Sequence, residues 1–190
     1  MRVAVAAETP WIVNNVGEIH MHNGRWNRIY GLLASDIGAN YYGEIVAVGK
    51  YSGVDGGYVY SRSGTSWIQL GTIKALAVAK GTQTWIIDVG GNVQYWNGSG
   101  WVLVPGIKGI DVGVNLDEDV TVVSNEVAPS GDNYLYWYNW NYSTPGCWKR
   151  VVDQTNNFVS ARRVAGNTFN KLTNAYVRNS MSIHTGIYFE

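Results

Sequence analysis

Apolar and polar residues alternate in short runs along this chain, and no run keeps the 3.6-residue period of a helix. The runs fall into a repeating order. Each unit has a short apolar strand, a glycine turn, an alternating strand, a Gly-Trp corner, a short strand and a closing apolar strand. One copy runs from Thr84 to Val114 and another from Pro10 to Ala39. Trp11 lies six residues before Gly17, and Trp85 lies six before Gly91. A strand-only repeat of this length predicts a propeller or an array of small sheets.

Three further copies are more diverged. An aromatic after the second strand anchors each unit: Trp26, Trp67, Trp101, Trp148 and Tyr188. The unit is about 40 residues, the length of a propeller blade. Gly17, Gly57, Gly91, Asn133 and Asn179 open the second strands, where a hairpin turn calls for positive φ. The fifth unit stops at Glu190, before its last strand, and Arg2–Ala6 reads like a closing strand. The expectation is therefore an all-β, five-bladed β-propeller closed by its N-terminal strand. It forms a single domain over 1–190, with blades at 9–40, 41–81, 82–115, 116–167, and 168–190 joined by 1–8. Insertions at Gly49–Gly56, Asn125–Gly131 and Trp140–Cys147 lengthen its loops.

Composition narrows the function. The formal net charge is zero, with 14 basic and 14 acidic residues, so no basic stripe favours nucleic acid and nothing favours adhesion to anionic lipid. No apolar run approaches the roughly 18 residues of a membrane span. The run Val3–Ala7 is too short for a signal peptide, which predicts a chain made in the cytoplasm, and then either carried in a virion or released without a leader. Cys147 stands alone and can form no internal disulfide.

Catalytic constellations are weak. His20 and His22 share a strand face, and His184 falls at the position equivalent to His22. Other units place Arg62, Trp96 and Tyr138 there, so the position does not demand imidazole. The run Asp117-Glu118-Asp119 lacks the spacing of a calcium loop. No enzyme, metal or cofactor is expected.

Aromatics carry the binding expectation. The chain has 9 Trp and 13 Tyr against 3 Phe, and Trp and Tyr combine an apolar face with a polar handle. The blade tryptophans and Tyr134 and Tyr136 read as packing. Trp11 with Asn14, and Trp85 with Asp88, pair an aromatic with an amide or carboxylate, as a sugar site does. Packing explains these pairs equally well. Trp96 belongs to the same set of candidate ligand contacts. Trp140 and Tyr142 lie beyond the repeat and suit a surface patch.

Quoted in full, the pattern Trp85-Ile86-Ile87-Asp88, Gly91 to Gly98, Trp101 to Gly106 and Ile110 to Gly113 resembles the tectonin and tachylectin propeller lectins. The resemblance implies a lectin-like, glycan-binding propeller that recognises a glycan or cell-surface polysaccharide without catalysis. The alternative is a structural or docking subunit of a virion, such as a phage tail or head decoration. That reading uses the propeller as an interaction disc, bound to other virion proteins or to itself.

Overall fold

The computed structural model describes residues 1–51, 56–139, 148–152, 159–161, 163–165, 175–177 and 183–184. Every regular element among them is a strand. The N-terminal segment and the first three units supply β1 (Arg2–Ala6), β2 (Thr9–Val13), β3 (Glu18–His22), β4 (Trp26–Ala39), β5 (Ile45–Gly49), β6 (Gly57–Ser63), β7 (Ser66–Lys80), β8 (Thr84–Asp88), β9 (Asn92–Trp96) and β10 (Trp101–Val114). There follow β11 (Asp119–Val127), β12 (Asn133–Asn139), β13 (Lys149–Arg150), β14 (Ser160–Ala161), β15 (Arg163–Ala165), β16 (Ala175–Val177) and β17 (Ile183–His184).

The strands pair in chain order from β1 to β13 as one antiparallel sheet of 14 strands, with β14 added beside β12. The three strands β15, β16 and β17 form a separate small sheet. This overturns the five-bladed propeller. Blades require a break between the last strand of one and the first strand of the next. Here β4, β7 and β10, of 14, 15 and 14 residues, end just before those positions and pair across them with β5, β8 and β11. The first half of each pairs with the strand before it and the second half with the strand after it. Register shifts flank the change of partner, as between Val104 and Lys108 against β9 and between Gly109 and Asp111 against β11. Extra residues at such a bulge bend the strand without ending it.

The expected closure is corrected too. β1 pairs with β2 of the first unit, from Arg2↔Val13 to Ala6↔Thr9. Among the described residues it has no place in the small sheet of β15, β16 and β17. The resemblance to propeller lectins therefore does not extend to the fold, because the repeat encodes hairpins, and hairpins serve a continuous sheet as well as a ring.

Burial follows the strand halves. β5 (Ile-Val-Ala-Val-Gly) and β8 (Thr-Trp-Ile-Ile-Asp) are buried at every position, as near-continuous apolar strands covered on both faces should be. The first half of β4 alternates between exposed and half-buried residues. The cores draw on successive units. One joins Ala77 and Ala79 of β7 and Trp85 and Ile87 of β8 to Val112 of β10 and Val120 and Val122 of β11. Another joins Val46, Val48 and Val59 to Ala75, Val78 and Ile86.

Candidate functional site

The pairs expected to hold a sugar are built into the scaffold. Trp85 is 1% exposed and Trp11 is 5% exposed, so both indoles lie in the core. Trp85 packs against Tyr95 and Tyr138, with centroids 5.3 and 6.2 Å away. Asp88 closes the turn between β8 and β9. Its Oδ1 accepts the backbone N–H groups of Gly90 and Asn92, both at 2.8 Å, and its Oδ2 accepts the side-chain amides of Asn92 (2.8 Å) and Gln94 (2.6 Å). Asn14 does the same between β2 and β3, accepting the N–H groups of Val16 (3.1 Å) and Glu18 (2.8 Å). These are Asx turns, in which the side chain replaces a backbone acceptor. Trp96 is half-buried and packs edge-on against Trp101 at 5.2 Å. Trp140, Tyr142 and Cys147 lie outside the described residues.

His20 reaches Glu18 at 3.5 Å, His22 lies edge-on to Trp26 at 5.1 Å, and His184 sits in the separate sheet on β17. No group of three or more His, Cys, Asp or Glu among the described residues is placed to hold a metal. Glu118 is used structurally, its Oε1 accepting the N–H (2.7 Å) and hydroxyl (2.9 Å) of Thr82.

Two features escaped the sequence. The first is a charged junction. Strand register makes Arg2, Asp36, Ala77 and Asp111 equivalent, since they pair with Val13, Val48, Ile87 and Val123 in turn. Three of the four meet. The Arg2 guanidinium lies 3.2 Å from Asp36 and 3.7 Å from Asp111. Arg163 of β15 reaches Asp111 at 3.9 Å. Both carboxylates are buried, and the Val78 N–H donates to Asp36 Oδ2 at 2.9 Å. Burial pushes the Asp36 carboxyl up to about 7; Arg2 opposes this, while Asp111 adds to it.

The second feature is the series of anchor tryptophans. The Trp101 indole donates to the Leu70 carbonyl at 3.0 Å, and the Trp148 indole to the Pro105 carbonyl at 3.1 Å. In each case a glycine follows the acceptor. A Cβ on Gly71 would lie 2.9 Å from Trp101 Nε1, and one on Gly106 would lie 2.9 Å from Trp148 Cδ1. Trp67 rests over Gly31 in the same way, and the Arg62 guanidinium stands 5.5 Å from its ring centre and 5.6 Å from that of Trp11. Trp67 Nε1 and Arg62 Nη1 are buried without a hydrogen-bond partner.

Trp26, first in the series, is 49% exposed. With Arg28 and Tyr30 it lines one face of β4 by the period of two. Tyr30 is 72% exposed, under the Arg28 guanidinium at 5.0 Å, and Leu33 is 47% exposed.

The sequence matches no known family model and no curated protein. Without a closed ring of blades there is no set of equivalent pockets between blades. The lectin reading loses its basis in the fold, and so does the virion disc.

Proposed function

We propose that this chain is a non-catalytic β-module that works by contact with other protein chains. The observation that carries the reading is the Trp26–Arg28–Tyr30 stripe. Its counterparts Trp67 and Trp101 are covered by glycine-bearing strands of the unit before them, so this position is one the fold uses to receive a β-strand. At Trp26 the same surface is open and bears a second large aromatic. Tyr, Trp and Arg are the residues that dominate protein interfaces. Among the described residues, Asp36, Asp88 and Glu118 are held in turns and strand junctions.

Site-specific photocrosslinking tests this. A benzophenone amino acid at Tyr30, in the producing cells, is expected to capture discrete protein adducts, and the same group at the exposed turn residue Val89 is not. No adduct at Tyr30, or the same adducts at both positions, would remove the stripe as a contact surface.

A further inference from the structure

We propose that a second copy of this chain docks on the outer edge of β4, laying its own Trp26–Tyr30 segment antiparallel to the first and joining the two sheets about a two-fold axis at Ile29. This rests on the contact reading above and names its partner.

The edge follows from the register. In the β3–β4 hairpin the Asn23 N–H donates to the Arg25 carbonyl at 3.1 Å, Met21 faces Asn27, and Ile19 faces Ile29. Bonded and unbonded pairs alternate in an antiparallel ladder, so Asn27 and Ile29 spend their backbone groups on β3. Trp26, Arg28 and Tyr30 turn theirs the other way. Among the described residues no strand pairs with that edge, and β5 takes up β4 only from Ala34 onward. An open edge of this kind is a template for another strand.

The counterpart edges are guarded. On β10, Pro105 has no N–H to offer, and its carbonyl takes the Trp148 indole. On β7, the Leu70 carbonyl takes the Trp101 indole, and the Gln69 amide donates to the Gly71 carbonyl at 2.7 Å. The matching indole for β4 is Trp67, whose Nε1 reaches no acceptor, so it does not close the Tyr30 carbonyl. A charged side chain is the usual deterrent on an open edge. Here that charge is already answered, because Arg28 Nη1 lies 2.7 Å from Glu18.

Charge selects the occupant. With the axis at Ile29, each Arg28 stands opposite Tyr30 of the other copy, and each such pair exchanges main-chain bonds. The guanidinium then meets a tyrosine ring between copies as it does within one, where it lies 5.0 Å from the Tyr30 ring centre. With the axis one residue earlier, the two Arg28 side chains would face each other, and like charges directly opposite are destabilising. The whole chain carries no formal net charge, so two copies meet without general repulsion. One strand pair buries less than the roughly 1,000 Å² of a stable interface, so the dimer should be reversible.

Sedimentation velocity of the full chain from about 5 to about 500 μM tests this. The mass should rise from 21.0 kDa toward twice that value. Tyr30→Pro removes an N–H that points off the edge, and it should weaken the dimer about tenfold or more while keeping the circular dichroism of the wild type. The register is read by Ile29→Cys in a Cys147→Ser background. Mild oxidation should link two such copies, since residues facing each other in an unbonded pair lie within disulfide reach. Arg28→Cys in the same background should link far less. Should Tyr30→Pro not fold, the crosslinks decide. A monomer throughout this range, a dimer that survives Tyr30→Pro, or equal linking at Ile29→Cys and Arg28→Cys overturns the proposal. Photocrosslinked adducts from Tyr30 to other proteins, with a chain that stays monomeric, would remove the second copy and leave the contact reading standing.

Discussion

Two buried aspartates show how one side chain takes opposite roles. Asp36 sits beside another carboxylate, and its acid is favoured. Burial also pushes the Asp88 carboxyl up, but hydrogen bonds from Asn92, Gln94 and Gly90 outweigh it and hold the group below its usual value. The sign of its pH dependence is thus reversed. The stability supplied by Asp88 is present above about pH 4, where the unfolded group is ionised, and is lost as pH falls through the folded value. Asp88→Asn turns one acceptor into a donor facing the amides of Asn92 and Gln94. It should cost about 1–3 kcal/mol at neutral pH. Urea denaturation checks this, and the variant should also lose less stability than the wild type on acidification below about pH 4. The sequence made Trp85 and Asp88 look like a binding pair because they are neighbours of the right chemistry. It could not show that four donors from the following turn and strand would consume the carboxylate.

At the level of elements, the tryptophan sockets join one unit to the next. Gly71 has φ +63, and its missing Cβ makes room for Trp101. Gly71→Ala would strain the backbone and push the indole off the Leu70 carbonyl, for about 1–3 kcal/mol in total. Trp101→Phe removes the hydrogen bond and part of the ring. Combining the two should cost less than their sum, because both act on one contact. Strictly additive losses in a denaturation cycle would show that the socket is not a unit. The strands and their glycine turns were legible: Gly17 and Gly91 do stand between β2 and β3 and between β8 and β9 with positive φ. The continuity of β4, β7 and β10 was not. The sequence reads a short strand and then a closing strand within each unit, and a register shift inside one long strand leaves no different trace in the residues. The meeting of Arg2 with Asp36 and Asp111 was hidden for a related reason. Arg2–Ala6 reads as a closing strand, but the residues do not fix the register that makes Arg2 equivalent to Ala77 and Asp111.

For the whole molecule, shared strands and shared cores oppose piecemeal unfolding. Ile87 is fully buried in a core fed by β7, β8, β9, β10 and β11. Ile87→Ala should therefore cost about 2–5 kcal/mol and should lower one common midpoint seen by both tryptophan fluorescence and far-ultraviolet circular dichroism. Two separated transitions would mean that the units are thermodynamically independent. The same sharing restricts how such a chain can grow. Because the first half of β7 pairs within its own unit and its second half with β8 of the next, a duplication fits only if it begins and ends at matching points of two such strands. A duplicated span from Gly71 to Pro105 would leave each hybrid strand with a partner on both halves. A duplication cut at the loops instead would strand half of a long strand unpaired. Lengthening by whole modules, with joints inside strands rather than between them, is the route this architecture leaves open to recombination and to protein engineering.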